Sequence, residues 1–318
     1  MTSDPRKGST HGETESFLEI LLSSNIRPHH ELSVGDARTQ FDRLVLQELE
    51  RVNIDFEGIT KELTVPSVDT KDGIPIIVYI PTKLPVSPPI LVYFHGGGFT
   101  MGSCVHVEDT CKILATGAEC CVVNVDYRLA PENKFPACYN DAKAVMRWVM
   151  MNKSLVGGIH RSIVGVAGDS SGANIAATVC HEVPGISFQI LAYPLVDLTC
   201  STESFKTYAD GPFLTKEATE KFIEQFLNNE NECYNPRASP LFQKSFDGIP
   251  PALFIVAEFD PVRDDCHEYG KRIRENGIKS KSLLVRGTIH GFFTLPGHFQ
   301  KSCQQAYEEV IYFIKAQL

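Results

Sequence analysis

The stretch VAGDSSGAN, residues 166–174, joins a strand-like run to a helix-compatible run and decides how this chain folds. The apolar residues SIVGVAGD (162–169) lead into it, and ANIAATVC continues it with helical character. Gly168 and Gly172 flank Ser170, and only small residues at those two positions let a strand turn sharply into a helix. The pattern therefore predicts a strand–turn–helix unit with Ser170 at the tip of the turn, in a strained conformation.

Apolar runs of the same kind recur through most of the chain. They are ITKELTVPS, IPIIVYIP and the residues 89–97, 120–127, 187–195, 251–260 and 280–287. Within most of these runs, apolar and polar residues do not alternate, which is typical of strands covered on both faces. Helical stretches such as 138–150 separate the runs. This arrangement predicts an α/β fold with a mostly parallel central sheet flanked by helices.

One long segment breaks the rhythm of strands and helices. Residues 196–248 are irregular and partly helical, and such an insertion can lie over the strand ends, where open α/β sheets bind ligands. Near the N-terminus, Phe41, Leu44 and Val45 lie on one helical face. The predicted organisation is a disordered start at 1–15, N-terminal helices at 16–54, a first sheet segment at 55–195, the insertion at 196–248 and a second sheet segment at 249–318.

Composition limits the partners of this protein. Its 318 residues carry a formal net charge of −9, and nucleic-acid binding needs clustered Lys and Arg, so no nucleic acid is expected. The polar N-terminus and the short, interrupted apolar run FLEILL fit neither a signal peptide nor a membrane anchor. The ten cysteines contain no C-x-x-C pair, match no zinc spacing and are expected to stay reduced in the cytoplasm. These features do not distinguish a monomer from a homodimer.

Ser170 is the predicted nucleophile, because the turn would hold its hydroxyl at the sheet edge near a helix N-terminus. A serine hydroxyl attacks weakly unless a base takes its proton and a third group orients that base. In this type of turn the chain order is serine, then acid, then histidine. The favoured acid is Asp260, which follows the run LFIVAEF and precedes Pro261, and Asp197 stays open as an alternative.

The favoured base is His290, in a short loop directly after a predicted strand. His298 is the nearest alternative, whereas His267 is expected on the helix that follows the acid, turned away from the strand ends. Asp264 and Asp265 are expected on that same helix, as surface or capping groups.

The stretch HGGGF, residues 95–99, follows another predicted strand. Acyl transfer builds a negatively charged oxygen that needs preorganised N–H donors, and glycines let backbone amides approach a substrate closely. Gly97 and Gly98, together with the N–H of Ser171, are the predicted oxyanion hole. His95 is expected to fix the loop by hydrogen bonding rather than to act as a base.

The chain resembles the hormone-sensitive-lipase group of α/β-hydrolases, which includes carboxylesterases and arylacetamide deacetylases. The resemblance rests on six blocks in the expected order: HGGGF, DYRLAPE (126–132), GDSSGAN, SPL (239–241), DPVRD (260–264) and HGF (290–292). It implies an α/β-hydrolase fold, a triad of Ser170, His290 and Asp260, the oxyanion hole just described, and a helical cap made of the N-terminal helices and the insertion. Ser171 and Ala173 depart from the common GDSAGGN pattern, but both residues are small.

The residues and the resemblance together predict a serine carboxylesterase that acts on short- to medium-chain acyl esters through an acyl-enzyme. No metal or organic cofactor is expected. The alternatives that stay open are an amidase, deacetylase or lactonase with the same triad, a non-catalytic small-molecule receptor, and a dehydratase on the same fold. Phe213, Phe222 and Leu241 are the candidate substrate-binding residues, since all three lie in the insertion.

Overall fold

The computed structural model describes residues 12–24, 26–52 and 54–318, and its centre is one β-sheet. The strands described there are β1 Gly58–Val65, β2 Ile74–Pro81, β3 Ile90–Phe94, β4 Cys121–Val125, β5 Val164–Asp169, β6 Gln189–Ala192, β7 Ala252–Phe259 and β8 Ser280–Ile289. Their spatial order is β1-β2-β4-β3-β5-β6-β7-β8. The pairs β1–β2 and β2–β4 are antiparallel, and every pair from β4 onward is parallel. The predicted α/β class is confirmed.

Helices cover the sheet and form the N-terminal part. They are α1 Gly12–Ser23, α2 Val34–Arg51, α3 Glu108–Ala118, α4 Ala137–Met151, α5 Ser171–Glu182, α6 Glu203–Thr207, α7 Lys216–Phe226, α8 Arg263–Glu275 and α9 Gln300–Lys315. Short 3₁₀ turns occupy several of the connections, including His29–Glu31 between α1 and α2 and Phe292–Thr294 after β8.

The start of α1 corrects one prediction. Disorder was expected over 1–15, but the helix begins at Gly12, and residues 1–11 lie outside the described residues. The physical reason is that this end of the helix is anchored to the sheet: the buried Thr14 hydroxyl donates a 2.7 Å hydrogen bond to the Gly287 carbonyl. Phe17, one turn later, is completely buried.

The central strands lie in the core over their whole length. Every residue of β3, β4, β5 and β6 is buried, as the unbroken apolar runs predict for strands with helices on both faces. Because β3, β5, β7 and β8 are mutually parallel, the loops that follow them emerge at one edge of the sheet. Those loops begin with His95, Ser170, Asp260 and His290.

The start of the segment between β6 and β7 is held to α8 by a buried carboxylate. Asp265, expected at the surface or as a cap, is completely buried in the first turn of α8. One of its oxygens accepts the N–H groups of Val196 and Asp197, each at 3.0 Å. Burial raises the pKa of Asp265 well above its usual range, and the nearby Asp197 raises it further. The surface assignment is wrong because this loop requires an acceptor for its buried N–H groups.

Candidate active site

Ser170 lies at the turn between β5 and α5, in a backbone conformation that is rare for a residue with a side chain. Its φ is +53° and its ψ is −120°, and its N–H donates a 2.9 Å hydrogen bond to the Ala192 carbonyl. A Cβ atom at Gly168 would lie 2.5 Å from the Gly172 carbonyl carbon, and one at Gly172 would overlap the Phe94 carbonyl oxygen. Only glycines allow this approach, as the spacing around Ser170 predicts.

Three side chains from three strand ends meet at this turn. The Nε2 atom of His290 lies 2.9 Å from the Ser170 hydroxyl oxygen, and its Nδ1 atom lies 2.8 Å from the Asp260 Oδ2 atom. Asp260 is fully buried, His290 is nearly so, and the second Asp260 oxygen accepts the Val262 N–H at 2.9 Å. The structure thus brings together the predicted nucleophile, base and acid over 120 residues of sequence.

The alternative acid and bases have other surroundings. Asp197 is buried, and its two oxygens accept hydrogen bonds from Thr199 and Ser201 in its own loop. The ring of His298 packs 4.9 Å from the ring of Phe17, and burial lowers the pKa of His298 to about 4. His267 is exposed on α8, as expected.

The HGGGF loop borders the same cavity as Ser170. Gly97 has a φ of +120° and Gly98 a φ of +60°, which a side chain would strain. Within residues 12–24, 26–52 and 54–318, no hydrogen bond is made by the N–H group of either glycine. Ser171 is the first residue of α5, so its N–H belongs to the helix N-terminus, where amides have no partner inside the helix. Free N–H groups on two sides of Ser170 can bind an anionic oxygen.

His95 stabilises this loop. Its Nδ1–H donates to the Gly96 carbonyl at 2.7 Å, and its ring stacks on Tyr127 with the centroids 4.3 Å apart. The Tyr127 hydroxyl in turn donates to the His95 carbonyl at 2.6 Å. Burial lowers the pKa of His95 to about 3, so its ring is neutral and holds the loop without serving as the base, as expected from the sequence.

Asp169, the residue before Ser170, is a site residue that sequence reasoning missed. Its Oδ1 atom accepts the Gly96 N–H and the Tyr93 hydroxyl, both at 3.0 Å, so it links the serine turn to the glycine loop. Burial raises the pKa of Asp169 to about 6, whereas the nearby His290 and the two hydrogen bonds lower it. The only sequence signal for Asp169 was its position before the serine in GDSSG. The G-x-S-x-G motif accepts any residue at that position, so it does not indicate a role for Asp169.

The cavity above Ser170 has a volume of about 940 Å³, with its open mouth included. Its apolar wall comes from α2, the HGGGF loop and the residues just after it, the segment before β7 and the turn after β8: Phe41, Leu44, Val45, Met101, Phe213, Leu214, Phe222 and Leu295. Phe213 and Phe222 therefore lie where the sequence predicts. Leu241 does not line this cavity, because its 3₁₀ turn Pro240–Phe242 packs against the main core beside α5 and α8.

Two further features bear on what could bind. In the described part of the chain, no group of three or more His, Cys, Asp or Glu side chains is placed to hold a metal ion. None of the helices that the structure describes has both the length and the apolar character needed to cross a membrane.

Comparison with known proteins places this geometry in a family. Residues 91–294, more than half of the chain, match the model of a family described as having the alpha/beta hydrolase fold. The chain belongs to the α/β-hydrolase family. The predicted α/β-hydrolase fold and the resemblance to the hormone-sensitive-lipase group are confirmed.

Several named relatives of this α/β-hydrolase are ester hydrolases. It is 34% identical to carboxylesterase NlhH of Mycobacterium tuberculosis over 77% of this chain and 75% of the relative. It is 28% identical to an arylesterase of Saccharolobus solfataricus over 89% of this chain and 92% of the relative. The crystal structure of a hyperthermophilic esterase from Pyrobaculum calidifontis superposes with a TM-score of 0.89, at 31% identity, over 96% and 98% of the two chains. The prediction of a serine carboxylester hydrolase is confirmed.

Proposed function

We propose that this α/β-hydrolase cleaves short- to medium-chain acyl esters with Ser170 as nucleophile, His290 as base and Asp260 as the group that orients the base. The observation that carries the proposal is the continuous pair of contacts at His290, 2.9 Å to the Ser170 hydroxyl and 2.8 Å to Asp260. Distances of this size suit proton transfer between a nucleophile and its base.

The first half of the reaction forms an acyl-enzyme. The Ser170 oxygen bonds to the ester carbonyl carbon while its proton passes to Nε2 of His290, and the carbonyl electron pair moves onto oxygen. The N–H groups of Gly97, Gly98 and Ser171 stabilise that oxyanion. The intermediate collapses, the bond to the alcohol oxygen breaks, and the His290 proton goes to the leaving alcohol.

The second half repeats these steps with water. Water attacks the acyl-enzyme carbonyl while His290 takes one water proton, and the intermediate releases the carboxylic acid as that proton returns to Ser170. Asp260 holds the imidazole with Nδ1 protonated and Nε2 free, and stabilises the imidazolium that forms at each step. Each full cycle consumes one ester and one water and yields one acid and one alcohol.

The size and lining of the cavity support the proposed substrate class. A largely apolar cavity of about 940 Å³, with its mouth included, suits a small ester whose carbonyl lies at Ser170. The apolar wall drawn from α2 and from the segment 196–248 supports the proposal that these elements form a helical cap over the sheet.

Labelling with paraoxon tests the nucleophile directly. The organophosphate should add a diethylphosphoryl group to the peptide that contains Ser170, with loss of p-nitrophenol, and mass spectrometry should find it nowhere in Ser170→Ala. Matched p-nitrophenyl esters, anilides and lactones then separate an esterase from an amidase or a lactonase. An unlabelled Ser170 in protein that does not hydrolyse the esters would refute the assignment.

We also propose that the enzyme works in the cytoplasm. None of the ten cysteines, all of which lie in the described part of the chain, forms a disulfide bond, and nine of them are buried. Burial raises the pKa of several of these thiols, such as Cys120 and Cys138, which keeps them protonated and unreactive. Localisation of a C-terminal fluorescent fusion tests this proposal, and secretion into the medium would contradict it.

A further inference from the structure

Phe213 has a backbone conformation that is uncommon for an aromatic residue. Its φ is +76°, in the left-handed region that favours glycine. Non-glycine residues stay in such conformations only where surrounding contacts hold them, and residues strained in this way cluster at functional sites. The ring of Phe213 lies 5.5 Å from the ring of Phe17, and a Cβ atom at Gly291, the neighbour of His290, would be 2.9 Å from it. The ring of Phe213 therefore lies beside Gly291, the residue that follows the proposed base.

A second cavity, here called the outer groove, lies next to the catalytic cavity. It has a volume of about 1310 Å³, with its open mouth included, and runs between α1, α2 and the start of α7. Its apolar lining includes Leu18, Leu21, Leu22, Ile26, Pro212 and Ala218. Leu22 is 85% exposed, so this groove leaves an apolar surface open to water.

The catalytic cavity and the outer groove share a wall. The residues that line both are His29, Phe41, Leu44 and Phe213. His29 packs against Phe222 and Phe41 packs against His106, so these two rings are held by other parts of the catalytic cavity. Phe213 is the member of the wall that contacts the residue following His290.

We propose that Phe213 sets the length of the ester that this enzyme accepts, because its ring closes the passage from the catalytic cavity into the outer groove. A linear hydrocarbon tail that starts at the carbonyl next to Ser170 would enter the outer groove once that ring is removed. The inference rests on the proposed function, since the ester carbonyl at Ser170 fixes where the tail begins. The apolar lining of the groove and its contact with the catalytic cavity at this wall both fit a hydrocarbon occupant.

The variant Phe213→Gly tests the proposal. Glycine removes the ring and accepts a φ of +76° without strain, so the loop can keep its conformation. Each methylene transferred from water to the groove should raise kcat/KM by about four-fold. If the groove takes up two methylenes of the dodecanoate tail that butanoate lacks, the gain is roughly fifteen-fold. We expect the ratio of kcat/KM for p-nitrophenyl dodecanoate to that for the butanoate to rise by about ten-fold or more.

A second substrate series identifies which end of the ester uses the groove. Linear alkyl acetates from ethyl to decyl, followed by pH-stat titration, lengthen the alcohol and leave the acyl group constant. If the acyl tail occupies the groove, Phe213→Gly improves only the long p-nitrophenyl esters. If the alcohol tail occupies it, the variant improves only the long alkyl acetates.

Three further variants separate the effect of opening the passage from the effect of a general enlargement of the site. Phe222→Ala also removes a ring from the catalytic cavity, but Phe222 does not line the outer groove, so it should change long and short esters by similar factors. Adding Leu21→Glu to Phe213→Gly places a carboxylate at a half-buried position of the groove lining and should abolish the gain for long tails, because a hydrocarbon tail there would desolvate the charge. Phe213→Leu keeps an apolar contact with Phe17 and should give a smaller gain in the same direction.

The outcomes distinguish this inference from the proposed function. If wild-type protein hydrolyses esters and Ser170 is labelled, but Phe213→Gly and Phe213→Leu both keep the wild-type ratio in both series, Phe213 does not set the length. A gain that survives Leu21→Glu would place the tail elsewhere and overturn the groove assignment. If wild-type protein neither hydrolyses esters nor reacts with paraoxon, the proposed function itself fails.

Discussion

Replacing Asp169 by Asn should change how the stability of this esterase depends on pH. The carboxylate is buried, and burial raises its pKa to about 6 from an ordinary value of 3.8. The folded state therefore binds a proton more tightly than the unfolded state does. As pH falls through 6 the folded protein gains stability from this group, and that gain is complete below 3.8 and lost as pH rises above 6.

The size of the effect follows from that shift. A difference of about two pKa units corresponds to a gain of roughly 3 kcal/mol in the free energy of unfolding at low pH. Between pH 8 and pH 5 the wild-type protein should gain about 1.4 kcal/mol relative to Asp169→Asn. Because unfolding entropy scales with chain length, this corresponds to about 2 °C in Tm for a chain of this size.

Thermal unfolding of both proteins at pH 8 and pH 5 measures this difference. The asparagine carbonyl oxygen can still accept the Gly96 N–H and the Tyr93 hydroxyl, so the loop keeps its contacts and mainly the charge is lost. Asp72→Asn, at an exposed position in the turn between β1 and β2, is the matched control. Parallel shifts of Tm in wild type and Asp169→Asn, or a shift of opposite sign, would refute the reasoning about the buried carboxylate.

Three further predictions concern the nucleophile, the orienting acid and the contacts of α2. Ser170→Ala should lower kcat by about six orders of magnitude, whereas Ser171→Ala, which keeps its backbone N–H, should retain most activity in the same p-nitrophenyl butanoate assay. Comparable losses in both would contradict the assignment of the nucleophile. Asp260→Asn should lower kcat by ~10⁴-fold with little change in KM, because the amide favours the wrong imidazole tautomer, and an unchanged kcat would exclude Asp260 as the orienting group. Arg38 of α2 donates to the Thr100 carbonyl at 2.7 Å and also pairs with Glu132, so Arg38→Ala should lower stability by about 1–2 kcal/mol in thermal unfolding, more than Glu132→Gln does. Equal losses in those last two variants would show that only the ion pair matters.

The parts of the site that follow a strand directly could be predicted from the sequence. Gly168, Ser170 and Gly172 define a turn by their own sterics, and these are properties of neighbouring residues. Asp260 and His290 each follow an apolar run, so the parallel sheet carries both to the same edge. Chain order and the period of apolar residues favoured these positions but left Asp197 and His298 open, and the contacts of His290 with Ser170 and Asp260 are what distinguish them.

Packing between distant segments decided the rest. Asp265 has the sequence context of a helix surface, yet the loop at Val196 buries it. Leu241 and Phe213 both lie in the same insertion, but only Phe213 reaches the catalytic cavity. Where these side chains lie depends on contacts between residues far apart in the chain, and no local pattern of polar and apolar residues records such contacts. The sequence by itself determined the sheet and the turn at Ser170, whereas the walls of the cavity depend on contacts that α2 and the segment between β6 and β7 make with loops far away in the chain.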